Sequence, residues 1–152
     1  MRRLTMALGV MAAVLLVAGV SAQKSHNFTG MWTVDADKSG PAPAAGGRGG
    51  GAASDFEIRM DDKTMNVITT RGGNSTTNSY KLDGTDSKNT SRGGEEVTVA
   101  KWDGDKLVLT NKTNNQVTSY WMDGADLVRS VTRPGQNGGA AQTTQTYFKK
   151  KS

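Results

Sequence analysis

Three Asp-Gly pairs recur at a fixed interval in the second half of the chain. They lie at 83–84, 103–104 and 123–124, so that 20 residues separate each pair from the next. Asp-Gly supplies the positive φ angles of a type I′ turn, whose twist matches the two strands of a hairpin. Such an interval accommodates two strands of ordinary length and two turns. The spacing therefore predicts an antiparallel meander.

Alternating apolar and polar residues separate turn signals along the rest of the chain, which predicts further strands. The predicted strands span 28–34, 56–60, 65–70, 76–82, 85–90, 95–102, 106–111, 116–122, 125–133 and 143–149. Each strand of a meander reverses the direction of the one before it, so the first and the tenth run antiparallel and can pair. We therefore predict an all-β fold, an antiparallel up-and-down meander of about ten strands that closes into a barrel.

Strand parity divides the apolar residues between two faces. A two-residue loop at 103–104 sets Ala100 opposite Leu107, whereas a four-residue loop pairs Trp102 with Leu107; both leave the same residues on the same face. The larger, more aromatic set is predicted to face inward: Tyr80, Leu82, Ala100, Trp102, Leu107, Leu109, Tyr120, Met122, Leu127 and Val131. The outward set is Val97, Val99, Val108, Val117, Trp121 and Val128. It is either an ordinary population of surface valines or a contact surface centred on Trp121, through which the chain would form a homo-oligomer.

The turns of a meander also alternate between its two ends. Turns at 61–62, 83–84, 103–104 and 123–124 are predicted to share one rim, which would be acidic. Loops at Arg71, Arg92, 112–115 and 133–139 are predicted to share the other rim, which would be basic. A basic mouth would attract anionic ligands.

The first residues have the pattern of a secretory signal peptide. Arg2 and Arg3 precede an uncharged apolar run at 6–20, and small residues follow at Ser21 and Ala22. The run is short for a membrane span, so we expect a secreted or periplasmic protein and not an integral membrane protein. With 1–22 as the signal peptide, a single domain spans 23–152 and contains a flexible Gly/Pro/Ala-rich loop at 39–54.

Charge and composition exclude several classes of function. The net charge of +5 falls to +3 once the two signal-peptide arginines are removed, which is too mild to indicate a nucleic-acid partner. The chain has no Cys, and its single His lies at position 26, beside the cleavage point. Ser-His-Asp catalysis, Cys-His catalysis and His-rich metal sites are therefore not expected. Turn chemistry accounts for the Asp residues, so we expect no enzyme, no metal site and no cofactor.

Two short motifs connect this pattern to a known superfamily. Phe28, Gly30 and Trp32 form a Phe-x-Gly-x-Trp motif that resembles the opening of the calycins, which include lipocalins and fatty-acid-binding proteins. Gln145 and Tyr147 fall where fatty-acid-binding proteins carry Arg-x-Tyr in their last strand. The resemblance implies a lipocalin-like barrel from a bacterial host, with Trp32 in the barrel floor and a small apolar ligand in the lumen. The segment at 39–54 departs from the family because it is too rich in Gly and Pro to form a helical lid.

The combined pattern predicts a non-enzymatic barrel that binds a small, partly apolar and optionally anionic molecule. Arg129 shares the inward face with Leu127 and Val131, where a charged group needs an anionic or hydrogen-bonding partner. A ligand carboxylate would serve, assisted by Gln145 and Tyr147 if the last strand has the matching register. The predicted ligand-binding residues are Tyr80, Trp102, Leu107, Tyr120, Leu127, Arg129 and Tyr147.

Two alternatives stay open at this point. Arg129 could lie near the rim and contact water or Glu95 instead of a ligand. The barrel could also lack a cavity and act as a structural or protein-interaction module.

Processing of the N-terminus gives a first testable prediction. We expect the exported protein to begin at Gln23, because Val20-Ser21-Ala22 suits signal-peptide cleavage after Ala22. Intact-mass spectrometry of the exported chain measures this directly. A first residue well upstream of Gln23, such as residue 10, would contradict it.

Overall fold

The computed structural model describes residues 26–39, 55–91 and 93–152 and shows an all-β fold. In this part of the chain, ten strands accompany one turn of α-helix, α1 (Ala36–Ser39), and one 3-10 turn (Gln136–Gly138). The strands are β1 (Gly30–Val34), β2 (Phe56–Met60), β3 (Thr64–Arg71), β4 (Asn74–Lys81), β5 (Asp86–Ser91), β6 (Gly94–Asp103), β7 (Lys106–Asn111), β8 (Val117–Asp123), β9 (Asp126–Arg133) and β10 (Gln142–Lys150). The predicted signal peptide and, apart from Ser39, the predicted flexible loop lie outside the described residues.

All ten strands join one antiparallel sheet in the order β4-β3-β2-β1-β10-β9-β8-β7-β6-β5. Val34 of β1 pairs with Phe148 of β10, so the first strand lies against the last, as predicted. This pairing turns the meander into a nearly closed barrel, because only β4 and β5 lack a backbone ladder between them.

The turns alternate between the two ends of the barrel, as predicted. We call one end the Asp rim; it carries the turns that follow β2, β4, β6 and β8. We call the other end the Arg rim; it carries the turns that follow β3, β5, β7 and β9, with Arg71, Lys112 and Arg133 among their residues. Arg92 belongs to the same rim by sequence but lies outside the described residues.

The hairpins at 103–104 and 123–124 form, but their turn type differs from the prediction. Asp103 pairs with Lys106 and Asp123 with Asp126, so each Gly occupies the first loop position rather than the second. Gly104 and Gly124 have φ angles of 59° and 63°, whereas the residue after each has a negative φ. A single positive φ at the first loop position is typical of a type II′ turn. The resulting register pairs Trp102 with Leu107, as the longer-loop alternative predicted.

The hairpin predicted at 83–84 does not form. Asp83 Oδ1 instead accepts hydrogen bonds from the backbone N (2.9 Å) and Oγ1 (2.6 Å) of Thr85, which fixes a local bend. Side chains of β5 then cover the open edge of β4. Asn89 Oδ1 accepts from Ser79 N at 2.7 Å and its Nδ2 donates to Ser79 O at 3.0 Å, while Ser87 Oγ accepts from Lys81 N at 2.8 Å. A side-chain seam therefore replaces the backbone ladder.

The predicted inward face forms the core. Ala100, Leu107, Leu109, Tyr120 and Leu127 are buried, and Tyr80, Leu82, Trp102 and Met122 pack against them. The remaining buried core residues are Phe28, Trp32, Phe56, Ile58, Met65, Val67 and Phe148. Trp32 is 2% exposed, and its Nε1 donates to Phe28 O at 2.9 Å, which ties the segment before β1 to the core. Each large side chain of this core contributes about 1.5–3 kcal/mol by its burial.

The seam between β4 and β5 gives the second prediction. Asn89→Ala removes both hydrogen bonds to the Ser79 backbone and should lower the free energy of unfolding by about 1–3 kcal/mol. Thr77→Ala is the matched control, because Thr77 is exposed on β4 and its side chain makes no hydrogen bond within the described residues. Urea denaturation measures both variants. Equal stability of Asn89→Ala and wild type would show that the seam contributes nothing.

Candidate functional site

The interior of the barrel divides into a packed half and an accessible half. The packed half lies toward the Asp rim and consists of Phe28, Ile58, Met65, Ala100, Leu107, Leu127 and Phe148, each 0% exposed. The accessible half lies toward the Arg rim and consists of half-buried inward residues: Thr69, Asn78, Thr118, Arg129, Val131, Thr144 and Thr146. Most of the second set carry hydroxyl, amide or guanidinium groups. A molecule that enters the interior from the Arg rim therefore meets polar walls above an apolar floor.

Aromatic contacts hold the floor in place. The ring of Phe28 lies 5.8 Å from the ring of Trp102 and 6.5 Å from that of Tyr120, measured between centroids. Phe56 meets Phe148 edge to face at 4.8 Å. These tilted and edge-to-face geometries are the ones that aromatic pairs prefer. The floor is therefore a specific packing of rings.

Arg129 lies at the boundary between the two halves. It is inward because Leu127, two residues earlier on β9, belongs to the core. Its neighbours across the sheet are Tyr120 on β8 and Thr146 on β10. Its guanidinium carbon lies 4.9 Å from the ring centroid of Phe148 and 5.6 Å from that of Phe56. Stacking of this kind fixes the cation against the apolar floor.

The guanidinium of Arg129 retains hydrogen-bonding capacity. Its Nε is buried and has no hydrogen-bond partner, and no ion pair among the described residues includes Arg129. Glu95, the partner considered as an alternative, binds Lys88 at 3.0 Å instead. An unpaired donor in the interior costs free energy. The guanidinium is therefore suited to donate hydrogen bonds to the oxygen atoms of an anion.

Two inward tyrosines are protonated phenols, and one of them, Tyr120, is the neighbour of Arg129 on β8. Burial raises the pKa of Tyr120 above its ordinary value, and the adjacent Arg129 opposes part of that rise. Burial also raises the pKa of Tyr80, with Tyr120 and Glu96 adding to the effect. Both phenols therefore stay protonated at neutral pH and can donate hydrogen bonds.

The acid on this side of the interior has partners of its own. Glu96 Oε2 accepts from Asn111 Nδ2 at 2.7 Å, and Glu96 Oε1 accepts from Ser91 Oγ at 2.8 Å. Asn111 Oδ1 in turn accepts from the backbone N of Thr113 at 2.8 Å. Glu96 thus stabilises the turn after β7 through Asn111. Arg129 faces the interior and has an unsatisfied hydrogen-bond donor.

Six of the seven predicted binding residues face the interior. They are Tyr80, Trp102, Leu107, Tyr120, Leu127 and Arg129. Leu107 and Leu127 belong to the packed half and support the floor. Tyr80 pairs with Met65 at the Asp-rim end of β4 and packs against the core. Arg129 belongs to the accessible half, and the buried Tyr120 lies beside it. Their part in ligand binding stays a prediction.

Tyr147 lies on the outer face instead. It pairs with the outward Val128, and the next residue, Phe148, points into the core. Gln145 Nε2 donates to the Tyr147 hydroxyl at 2.9 Å outside the barrel, so neither residue joins Arg129. The inward residues of β10 are Thr144, Thr146 and Phe148, and Thr146 is the neighbour of Arg129 that the sequence reasoning missed. The apolar Phe148 was the available signal, because adjacent residues of a strand face opposite ways.

The outer face around Trp121 is covered in part by the chain itself. Lys106 Nζ lies 4.5 Å from the ring centroid of Trp121, and Val128 is 0% exposed although it points outward. The rest of the predicted outward set, Val97, Val99, Val108 and Val117, is half-buried. Association through this face stays a prediction.

No group of three or more His, Cys, Asp or Glu residues in the described part of the chain could hold a metal ion. No helix among the same residues has the length and apolarity needed to cross a membrane. His26 Nε2 lies 3.2 Å from Asp105 Oδ1 in a solvent-accessible pair at the Asp rim.

Comparison with known proteins identifies the fold. No family model matches the chain, and no curated protein matches it. A solved "REP1-NXSQ fatty acid transporter" matches with a TM-score of 0.61 at 16% identity, covering 82% of this chain and 96% of that one. Zebrafish ileal bile acid-binding protein complexed with cholic acid matches with a TM-score of 0.61 at 19% identity, covering 82% and 98%. Lipid binding protein 8 of Caenorhabditis elegans matches with a TM-score of 0.57 at 16% identity, covering 82% and 95%. The chain therefore shares the ten-stranded, nearly closed antiparallel barrel fold of these proteins.

Proposed function

We propose that this chain is a non-enzymatic barrel that binds a small, partly apolar anion inside its accessible half. The observation that carries the proposal is the inward guanidinium of Arg129, which pairs with no acidic side chain among the described residues. A carboxylate oxygen accepts charge-assisted hydrogen bonds from such a group, and bidentate pairing with guanidinium is the strongest form. The ligand carboxylate binds Arg129, with the Tyr120 hydroxyl beside it.

Charge at the Arg rim supports the same class of ligand. Arg71 and Arg133 lie on this rim, and Arg133 Nε donates to Gln116 Oε1 at 3.2 Å, which leaves its charge uncompensated by that contact. Lys112, by contrast, is paired with Asp86 at 2.6 Å. A mouth of net positive potential raises the local concentration and the association rate of anions. The binding proteins that share the fold are described as carriers of fatty acid, bile acid and lipid, which are themselves amphipathic or apolar molecules.

The proposal includes export. The basic pair followed by an apolar run at 6–20 supports cleavage after Ala22 and action in the periplasm or the medium of a bacterial host. A barrel without Cys needs no oxidising folding machinery to function there.

Substitution of Arg129 tests the binding proposal. Isothermal titration calorimetry with benzoate, octanoate and palmitate should detect binding of at least one of them to wild type. Arg129→Met should weaken that binding by about tenfold or more, because loss of a charge-assisted contact costs about 1.5–3 kcal/mol. Arg59→Met is the control, since Arg59 is exposed on the outer face and pairs with Glu57 at 2.6 Å; it should leave affinity unchanged.

Stability separates a binding role of Arg129 from a structural one. Methionine keeps the apolar contact with Phe56 and Phe148 and removes an unsatisfied donor, so Arg129→Met should be at least as stable as wild type. A carboxylate panel that does not bind to wild type, together with a variant destabilised by more than about 1 kcal/mol, would assign Arg129 to the core and refute the proposal.

A further inference from the structure

The depth of the accessible half limits what a ligand can be. The floor beneath Arg129 consists of Phe148, Leu127 and Leu107, all 0% exposed, so these side chains border no space that a water molecule could enter. From Arg129 to Arg133, the last residue of β9 at the Arg rim, the strand rises by about 13 Å, at about 3.4 Å per residue. A ligand held by Arg129 therefore lies above the floor and within that depth. An extended long-chain acyl group finds no room below Arg129.

The walls of the accessible half are polar one row above Arg129. In that row Val131 of β9 is flanked by Thr118 of β8 and by Thr144 of β10. All three face inward and are half-buried. Beyond Thr118 the same row continues with the buried Leu109 of β7. The row therefore sets two hydroxyl groups beside a limited apolar surface, which suits a compact molecule that has both an apolar face and a hydroxyl group.

The distance between the row of Arg129 and the row of Val131 sets the length of a ligand that contacts both. Adjacent inward residues of β9 are two positions apart, so the row of Val131 lies about 7 Å from the row of Arg129. A benzene ring with a carboxylate at one end and a hydroxyl at the opposite end spans about this distance, and its face can rest on Val131. Rigid aromatic ligands also lose little conformational freedom on binding.

We propose, on the basis of the proposed function, that the ligand class is a compact hydroxylated aromatic carboxylate rather than a long-chain fatty acid. The carboxylate binds Arg129, and the distal hydroxyl binds one of the two threonines that flank Val131, Thr118 or Thr144. Palmitate is excluded because the packed half is closed to its chain.

A matched pair of ligands tests this class. Calorimetry on the wild-type protein should show that 4-hydroxybenzoate binds about three- to tenfold more tightly than benzoate, the contribution of one net hydrogen bond. Palmitate should bind more weakly than either. Tighter binding of palmitate than of 4-hydroxybenzoate, still dependent on Arg129, would overturn this inference and leave the proposed function standing. Failure of every carboxylate to bind through Arg129 would overturn both.

A matched set of variants tests the threonine pair. Thr118→Val with Thr144→Val conserves side-chain shape and should remove the preference for 4-hydroxybenzoate over benzoate, measured as the ratio of the two affinities. Thr110→Val is the control, because Thr110 is exposed on the outer face of β7; it should preserve the preference. An undiminished preference in the double variant would contradict recognition by these hydroxyls. If the double variant does not fold, Thr118→Ser and Thr144→Ser, which retain both hydroxyls, should preserve the preference, and its loss there would contradict the inference.

Discussion

Pairing between β1 and β10 is the constraint on which the rest of the structure depends. Val34 pairs with Phe148 and Trp32 with Lys150, so the first and last strands of the described meander join. The sheet therefore has an inner face that encloses the core. The alternation of side chains along a strand then decides which face each residue occupies. Phe148 points inward, and Tyr147 therefore points outward. The same closure brings the rings of Phe56 and Phe148 beneath Arg129. The position of the cation thus follows from the closure of the sheet.

The interior combines a packed apolar floor, which stabilises the fold, with the guanidinium of Arg129 above it, which lowers the stability. Buried rings and aliphatic side chains contribute most of the stabilisation, while a guanidinium with an unsatisfied Nε reduces it. Real folds break the rule of satisfied polar groups mainly at functional sites. The division between a packed half and an accessible half also separates two roles: the first maintains the barrel, and the proposed function assigns ligand binding to the second.

Periodicity and turn chemistry predicted much of the fold from the sequence, because alternation and Asp-Gly spacing act locally. The inward face and the place of Arg129 follow from parity alone. The seam between β4 and β5 could not be predicted, since Asn89 and Ser87 replace backbone partners with side chains, which no periodic pattern encodes. The type I′ turn predicted at 103–104 and 123–124 was wrong, because the pairing register of the two strands decides whether Gly occupies the first or the second loop position. The inward position predicted for Tyr147 was wrong because it rested on the resemblance to the Arg-x-Tyr motif. Alternation along the strand, with the apolar Phe148 inward, places Tyr147 on the outer face.

Nuclear Overhauser effects between a bound ligand and the methyl groups of the barrel test the central claim most directly. The ligand is benzoate or palmitate, whichever binds the wild-type protein more tightly. The account predicts cross-peaks from the ligand to the methyl groups of Val131 and Thr146 in the accessible half, and none to Leu107 in the packed half. Cross-peaks confined to outward valines such as Val99 and Val108, or reaching Leu107, would contradict it.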